Sequence, residues 1–317
     1  MMKKIILDMD VGIDDTLAIA YLLAHRDVEL IGITTVFGNV KTETSLKNSL
    51  AVLELFGRED VPVFLGNTCV LTSDTAFIPH EIAYRIHGQN GIGNLELPEP
   101  KRSAESMPAV DFILESAQKY GEDLILIPTG PLTNIAQAIL RDEEAMKGIG
   151  NITFMGGALT VQGNVTPYAE ANIYADPEAA KVVLESEVST TMVGLDVTLR
   201  AHIGNDAIRS WGDLNSRKSQ IINAMAKYYF TFEYNDPDNL GGAIHDPLAV
   251  EAALHPESIR QFLPINLTVE TQGPTRGRTV STMEKLREKK TRTQVCLNLD
   301  GETFVKRFAD TIREFIR

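Results

Sequence analysis

The segment Asp8-Met9-Asp10-Val11-Gly12-Ile13-Asp14-Asp15 holds an unusual density of reactive groups. It places four carboxylates within eight residues, between a short apolar run and the start of a helical pattern. Carboxylates this close repel one another, which costs stability unless a cation binds among them. Hard oxygen ligands suit calcium or magnesium better than zinc, and the segment contains no Cys or His. The spacing therefore predicts a divalent cation site.

Two other interpretations of this segment are open. Asp14 and Asp15 fall in the first turn of the predicted helix, where the helix dipole favours negative charge, but this leaves Asp8 and Asp10 unexplained. An Asp-x-Asp pair after a first strand also resembles the haloacid dehalogenase-like phosphatases, and Asp8 would then be a nucleophile beside Mg²⁺. That family's loop usually continues with Gly-Thr or a close variant, and it lacks two further aspartates in the next helical turn.

The elements that must position these residues can be predicted from hydrophobic patterns. Apolar, β-branched runs predict buried strands at Lys3–Met9, 28–36, 61–65, 123–128, Asn151–Met155 and 189–194. Helical patterns lie between several of them, at 14–25, Thr42–Phe56, 110–120 and 132–140. This alternation predicts an α/β fold with an open, mostly parallel central sheet and helices on both faces. Ligands bind beyond the carboxyl ends of the strands in such sheets.

The rest of the chain shows no domain boundary. The turn-rich segment 235–242 is predicted to be a loop near the site, and the region from about Leu263 to contain late strands and a closing helix. No long repeat or linker is visible, and we therefore expect residues 1–317 to form a single domain.

Composition narrows the class of partner. The chain has 317 residues, 44% of them apolar, and a formal net charge of −13. An acidic chain does not suit a nucleic-acid partner, because binding phosphates requires a concentrated basic surface. No apolar run is long enough to span a membrane, and the N-terminus resembles no signal peptide. Cys69 and Cys296 lie far apart, which favours reduced thiols and a cytoplasmic location.

Five segments together resemble the inosine-uridine preferring nucleoside hydrolases. They are residues 8–15, 35–40 (TVFGNV), 127–134 (IPTGPLTN), 155–178 (from MGG to DPE) and 245–247 (HDP), in the order of that family. Two departures are visible. Val11 stands where the family's loop usually has Pro, and Ser281-Thr282 stands where the late motif often has Asp.

The resemblance implies a Ca²⁺ site and a set of ribose contacts. It assigns calcium to the carboxylates of Asp10, Asp15 and Asp246 and to the backbone carbonyl of Thr129, with Asp8 orienting a ligand. The positions that match ribose and substrate contacts are Asp14, Asn39, Met155, Asn164, Glu170 and Asn172. Because Glu170 and Asn172 are two residues apart, we expect an extended segment that points both at one ligand.

The resemblance also implies residues that act on the leaving base. His245 matches the position that activates it, and His87 resembles a second histidine on a mobile, glycine-rich loop that closes as a lid. The plainer alternative is that His87 caps a loop. An aromatic stretch precedes His245, and one or two of its members are candidates for stacking on the base: Tyr228, Tyr229, Phe230, Phe232 and Tyr234.

The function implied is hydrolysis of the N-glycosidic bond of ribonucleosides to free base and ribose. A Ca²⁺-bound water activated by Asp10 would attack, with His245 assisting the leaving base. The resemblance further implies a homo-oligomer, either a dimer or a tetramer. The alternatives are the phosphatase that uses Asp8, a protein that binds nucleosides without catalysis, and a different ribosyl substrate. The sequence does not indicate a preference for purines or pyrimidines.

Overall fold

The computed structural model describes residues 2–234 and 241–317, with the side chains of 232–234 outside the description. Its strands are β1 Lys3–Met9, β2 Val28–Thr35, β3 Val63–Phe64, β4 Leu124–Pro128, β5 Asn151–Met155, β6 Thr190–Val193, β7 His202–Gly204, β8 Gly241–Ala243, β9 Ile259–Pro264, β10 Thr268–Val269, β11 Thr279–Val280 and β12 Thr293–Leu299. Every strand predicted from the sequence is present, and no bound differs by more than two residues.

The helices match the predicted alternation equally closely. They are α1 Ile13–Ala24, α2 Thr42–Phe56, α3 Glu81–His87, α4 Ala109–Tyr120, α5 Thr133–Arg141, α6 Glu143–Lys147, α7 Ala171–Ala175, α8 Pro177–Glu185, α9 Leu195–Thr198, α10 Asn205–Gly212, α11 Arg217–Tyr234, α12 Asp246–Leu254 and α13 Gly301–Phe315. None of the helices within the described ranges is long and apolar enough to cross a bilayer.

The central sheet has eight strands in the order β3-β2-β1-β4-β5-β6-β12-β9. All neighbouring strands are parallel except β12 and β9, which makes β9 an antiparallel edge. The chain runs outward from β1 through β2 to β3 and then returns to place β4 on the other side of β1. This reversal creates a crevice at the carboxyl ends of β1 and β4, the usual ligand position in open α/β sheets.

Both faces of the sheet are buried, which explains the continuous apolar strands. Ile5 and Leu7 of β1 belong to the hydrophobic core that includes α1, α12 and α13, whereas Ile6 points into the core formed with α4, α5 and α8. Successive side chains of a strand alternate between its faces, and each residue of β1 therefore meets a helix layer on one side or the other. The predicted α/β architecture is confirmed.

The late part of the chain differs from the expectation in two places. The first late strand, β9, begins at Ile259, four residues before the predicted start at Leu263. Gly241 and Gly242 were predicted to be loop and instead pair with β7 as part of β8. Residues 235–240 of the predicted loop lie outside the described residues.

Candidate active site

The carboxyl edge of the sheet gathers the residues that sequence patterns singled out. Asp10 follows β1, Asn39 follows β2, Thr129 follows β4, and Met155 ends β5. Asp246 is the first residue of α12 and lies at the same edge, although it comes much later in the sequence. Parallel strands end together at one edge, and this is why residues scattered over most of the chain meet.

Three carboxylates form the centre of this site. Asp14, Asp15 and Asp246 each offer a carboxylate oxygen, these oxygens lie within 4.8 Å of one another, and all three residues are buried. Asp10 lies beside this group, since Asn39 donates to both Asp10 Oδ2, through its backbone N–H, and Asp15 Oδ2, through its side chain. Asp14, which the resemblance assigns to ribose, lies within this carboxylate group.

Burial and mutual repulsion change the acidity of these groups. Burial, aided by the charge of Asp14, raises the pKa of Asp15 to about 7. Burial and then the charge of Asp15 raise the pKa of Asp10 well above its ordinary value. Burial and then the charge of Asp14 also raise the pKa of Asp246 well above its ordinary value. Charge of one sign in a buried site favours the neutral form of each group, unless positive charge is added among them.

Two observations show that the site fits a divalent cation. The buried oxygens Asp10 Oδ1 and Asp14 Oδ1 have no hydrogen-bond partner among the described residues. Leaving a buried carboxylate oxygen unpaired is costly, and a bound cation would satisfy it. The donors are hard oxygen atoms, the set that calcium and magnesium prefer.

The carbonyl of Thr129 completes the candidate ligand set. It accepts a hydrogen bond from Asn172 Nδ2 at 2.7 Å, and a carbonyl oxygen has a second lone pair available. The Thr129 hydroxyl donates to Asp15 Oδ1 at 2.7 Å, which fixes the orientation of that carboxylate.

The loop after β2 holds Asp10 in place. The backbone N–H of Asn39 donates to Asp10 Oδ2 at 2.5 Å. A side-chain carbon at Gly38 would lie only 2.0 Å from the same oxygen. This position therefore requires glycine, because any side chain would displace the carboxylate. Asp10 is left with one oxygen fixed by the backbone and the other, Oδ1, free to act.

Asp8 ties the site to the sheet rather than lining it. Its Oδ1 accepts hydrogen bonds from Thr34 Oγ1 at 2.6 Å and Asn134 Nδ2 at 2.7 Å. Burial raises its pKa to about 6, and its exposed fraction is 0%. A phosphatase nucleophile must reach its substrate, which this buried and bonded carboxylate does not.

Asn134 was not assigned a role from the sequence, although it lies in one of the family-like segments. Besides Asp8, its amide donates to Thr35 O at 3.0 Å and accepts from Asn67 N at 2.9 Å. It therefore connects β1, the end of β2 and the segment after β3. Its place in the family-like segment 127–134, at the start of α5, was the sequence signal available.

The prediction of an extended segment at Glu170 and Asn172 is wrong, because Asn172 lies in α7. Glu170 is the residue that caps α7, and its carboxylate accepts from the backbone N–H groups of Asn172, Ile173 and Gly157 at 2.9, 3.2 and 3.0 Å. Free N–H groups at a helix start attract such a carboxylate. Asn164 Oδ1 accepts from Ala171 N at 3.0 Å. Both assigned ribose contacts therefore also shape the turn that presents Asn172.

His87 is the last residue of α3, and the prediction that it lies on a loop is wrong. Its Nδ1 accepts a hydrogen bond from the backbone N–H of Ile13 at 3.2 Å. Burial lowers its pKa, so the ring is neutral and carries its hydrogen on Nε2. Gly12, which caps α1, has no side chain to offer, and His87 takes that role. His87 therefore caps the start of a helix, whereas the plainer alternative had it capping a loop.

The side chains of Asn39 and His87 both lie against Gly12. A side-chain carbon on Gly12 would lie 2.6 Å from His87 Nδ1 and 3.1 Å from Asn39 Nδ2. Tyr229 packs on His87, with ring centroids 5.3 Å apart, and its hydroxyl donates to Asp14 Oδ2 at 3.2 Å. Of the aromatic candidates, Tyr229 therefore contacts the carboxylate group. The side chains of Phe232 and Tyr234 lie outside the described residues.

His245 immediately precedes Asp246 and lies close enough for its charge to act on His87. Its Nδ1 is 2.9 Å from the hydroxyl of Thr198, a fully buried residue at the end of α9. Thr198 is another positioning contact that the sequence did not reveal, because nothing in its local pattern distinguishes it.

A cavity of about 340 Å³ opens beside Asp10. Asn39 and Asn172 also line it, and much of the remaining wall is apolar, including Phe77, Ile78 and Tyr174. One side can therefore hydrogen-bond a polyhydroxylated group, and the other offers flat apolar surfaces. Small-molecule sites commonly combine apolar walls with a few convergent polar groups.

The fold and this site define a class: an α/β enzyme with a buried carboxylate group, able to hold a cation, at the switch point of its sheet. The family model for inosine-uridine preferring nucleoside hydrolases matches residues 5–306. The chain belongs to that family. It is a nucleoside hydrolase, which splits the N-glycosidic bond between ribose and base.

Individual relatives span different base preferences. The chain is 37% identical to Uridine nucleosidase 1 of Arabidopsis thaliana over 88% of this chain and 81% of that one. It is 35% identical to the pyrimidine-specific ribonucleoside hydrolase RihA of Shewanella baltica, over 99% and 98%. A solved structure of a purine-preferring ribonucleoside hydrolase from Gardnerella vaginalis matches with a TM-score of 0.95 and 43% identity, covering 99% of each chain.

The raised pKa values predict how stability of the cation-free protein depends on pH. The pKa of Asp15 rises from an ordinary 3.8 to about 7 on folding, so the folded state holds this proton more tightly. Folding then loses stability as the pH rises from about 4 towards 7. We expect the thermal midpoint of chelated protein to fall between pH 5 and pH 8, and a divalent cation to restore it most at pH 8. Thermal scans of the chelated wild-type protein and of Asp15→Asn between pH 5 and pH 8 check this. A wild-type thermal midpoint as independent of pH as that of Asp15→Asn would contradict it.

The hydrogen bond from Tyr229 to Asp14 predicts a role that its neighbour lacks. Tyr229→Phe removes the donor, and a hydrogen bond to a charged group is worth about 1.5 kcal/mol or more, roughly tenfold in rate. We expect kcat/KM for ribonucleosides to fall about tenfold with little change in thermal midpoint. Tyr228→Phe is the matched control, since the Tyr228 hydroxyl only accepts a 3.4 Å bond from Asn94. Equal losses in both variants would remove Tyr229 from the site.

Proposed function

We propose that this protein hydrolyses ribonucleosides to ribose and free base with Ca²⁺ as its cofactor. The observation that carries the proposal is the buried group of Asp14, Asp15 and Asp246 beside Asp10, in which two carboxylate oxygens have no partner. This arrangement is unfavourable by itself and becomes favourable around a cation. Its place beside a cavity with polar and apolar sides supports a small substrate that also has a polar and an apolar part.

The carboxylates of Asp10, Asp15 and Asp246 and the carbonyl of Thr129 would hold the calcium. Calcium accepts six to eight oxygen ligands, which leaves positions for water and for ribose hydroxyls. When bound, it would supply positive charge that orients the ribose diol and lowers the pKa of a water molecule. Asp14, within the same carboxylate group and bonded to Tyr229, would receive a ribose hydroxyl.

Asp10 is the proposed general base. Its Oδ2 is held by the backbone of Asn39, and its Oδ1 is the oxygen without a partner. Oδ1 would accept a proton from the attacking water as the C–N bond breaks. A general base must lie within hydrogen-bond reach of the proton that it accepts. The hydrogen bond from the Asn39 backbone holds the Asp10 carboxylate in one orientation.

The surroundings of the ribose would favour the transition state. Breaking the glycosidic bond builds positive charge on the ribose ring, in an oxocarbenium-like transition state. Asn39, Met155, Asn164, Glu170 and Asn172 are the proposed ribose contacts. Carboxylate and amide oxygens near the sugar stabilise this developing charge more than the neutral ground state, and such a difference accelerates a reaction.

His245 and His87 are the proposed groups near the leaving base. The neutral His87 ring carries its hydrogen on Nε2, because Nδ1 accepts from Ile13. That hydrogen can be donated to an acceptor atom of the base. His245, held at Nδ1 by Thr198, would assist departure of the base by supplying a proton or hydrogen bond.

We also propose the organisation of the whole protein. The central sheet draws strands from Lys3 to Leu299, which supports one domain over residues 1–317. A homo-oligomer, either a dimer or a tetramer, and a cytoplasmic location complete the proposal. Base preference is open, since the relatives include pyrimidine-specific and purine-preferring enzymes.

Removing Asp10 tests the proposed mechanism. Asp10→Ala should abolish ribose release from inosine and uridine, by at least 1,000-fold on the scale of general base and cation effects together. It should also weaken calcium binding while the chain stays folded. Asp27→Ala is the control, because exposed Asp27 precedes β2 at the opposite edge of the sheet. Near-normal activity in Asp10→Ala would overturn the assignment.

The same assay in wild-type protein tests the cofactor. Ribose release should stop with a calcium chelator and return with added calcium. Cleavage of p-nitrophenyl phosphate in Mg²⁺ without any ribose release would favour the phosphatase instead. Ribonucleoside binding without turnover would favour a binding protein.

His245 is tested by the quality of the leaving group. His245→Ala should slow inosine hydrolysis by about 100-fold or more, the usual size of general acid catalysis, and p-nitrophenyl riboside far less. The nitrophenolate departs without help, which is why the two substrates should separate. His255→Ala, at the far end of α12, should change neither. If the two substrates lose equal activity in His245→Ala, His245 has no role in leaving-group activation.

A further inference from the structure

Glu251 of α12 is a charged residue that is fully buried. Its exposed fraction is 0%, and both of its oxygens are used. Tyr21 of α1 donates its hydroxyl hydrogen to Oε2 at 2.8 Å, and Arg307 of α13 donates to Oε1. Arg307 keeps contact with solvent, since its side chain is 41% exposed. Three helices therefore meet at one buried carboxylate.

Stability alone does not explain a carboxylate at this position. Well-packed apolar residues are often as stabilising as a buried ion pair, or more so, because both charges must be stripped of water. A buried hydrogen bond adds a geometric requirement, because it forms only within a narrow range of distances and angles. Apolar helix faces tolerate small sliding, whereas the bond between Tyr21 and Glu251 is satisfied at one register of α1 against α12.

That register bears directly on the cation site. Asp14 and Asp15 lie in the first turn of α1, and Asp246 begins α12. Tyr21 and Glu251 follow these carboxylates by between one and two turns, roughly 7 to 11 Å along each axis. The two helices therefore run side by side from the site and are tied together just below it.

The carboxylates at the two helix starts push these ends apart. The like charges of Asp14, Asp15 and Asp10 all act on Asp246. Without the tie, α12 could relieve this repulsion by shifting along α1, and the ligand oxygens would no longer converge. Arg307 adds α13 to the tie and balances the charge of Glu251.

We propose that Glu251, bonded to Tyr21 and Arg307, is a positioning residue that sets the register of α1 against α12 and so keeps the carboxylates of the cation site within coordinating distance. The inference rests on the proposed function, because it assumes a cation among these carboxylates. It assigns no contact between Glu251 and the substrate.

The test replaces the tie without leaving an unpaired group. Tyr21→Phe combined with Glu251→Leu removes both partners and keeps the volume, and Arg307 is exposed enough to be hydrated. The readouts are the dissociation constant for calcium alone by calorimetry, the thermal midpoint of the chelated protein, and kcat and KM for inosine. Glu251→Gln is the conservative variant, since its amide oxygen can still accept from Tyr21.

We expect the double variant to bind calcium about tenfold more weakly while its chelated thermal midpoint stays within a few degrees of wild type. Its kcat/KM should fall in parallel and recover in part at high calcium concentration. Glu251→Gln should stay within about threefold of wild type in all measurements. If the double variant does not fold, Tyr21→Phe alone should show a smaller loss of calcium affinity of the same kind.

Trp211→Phe is the control for general loosening of the same helix layer. Trp211 packs α10 on α13 and donates to Ala309 O at 3.1 Å, and its loss should lower the thermal midpoint without changing calcium affinity. Unchanged calcium affinity in the Tyr21 and Glu251 variants would overturn the proposal, and so would an equal loss in Trp211→Phe. A wild-type protein that binds no calcium would instead overturn the proposed cation site itself.

Discussion

Repulsion among buried carboxylates is the constraint on which the rest of this structure depends. Asp10, Asp14, Asp15 and Asp246 are held together where water is excluded, and burial followed by the charges of neighbouring aspartates raises the pKa of Asp10, Asp15 and Asp246. Several features offset this cost. The starts of α1 and α12 both point at the group, and helix N-termini favour negative charge. The hydroxyl groups of Thr129 and Tyr229 donate to individual oxygens. A bound cation would offset the repulsion that these partial charges leave.

The polar residues around the carboxylates act mainly as orienting groups. Asn134 holds Asp8 and the end of β2, Asn172 holds the carbonyl of Thr129, and the backbone of Asn39 holds Asp10. Each uses its hydrogen bonds to hold a carboxylate or carbonyl oxygen in one direction. Preorganised groups of this kind need no rearrangement as charge develops. Electronegative surroundings that suit a cation therefore also suit an oxocarbenium-like transition state.

The two ends of the site are built differently. The carboxylate end consists of strand ends, helix starts and backbone groups, which are rigid and leave little room for variation. The opposite end is a cavity whose wall includes Phe77, Ile78 and Tyr174, from a loop and a short helix. Loops tolerate change better than sheet ends. This division fits a family in which relatives share ribonucleoside hydrolysis while their names report different base preferences.

The sequence alone determined the elements and the chemistry type of this protein. Buried strands such as Lys3–Met9 are visible because both faces of a parallel sheet are covered, which leaves a continuous apolar run. The dense aspartates after that strand predict a cation site for an equally local reason, namely repulsion between neighbours in sequence. Five family-like segments then identified the family, and they contain most of the residues that lie at the carboxyl edge of the sheet.

Tertiary structure decided which side chains share hydrogen bonds, because those partners come from distant parts of the chain. Nothing near Asp14 in sequence indicates that it joins Asp246, or that His87 takes the capping role that Gly12 leaves empty. Glu170 and Asn172 have the spacing of a strand, yet the free N–H groups of α7 draw Glu170 into a cap. Thr198 and Glu251 act through contacts with no local pattern at all. Periodicity records which face of an element is buried, but the packing of those faces selects the partner.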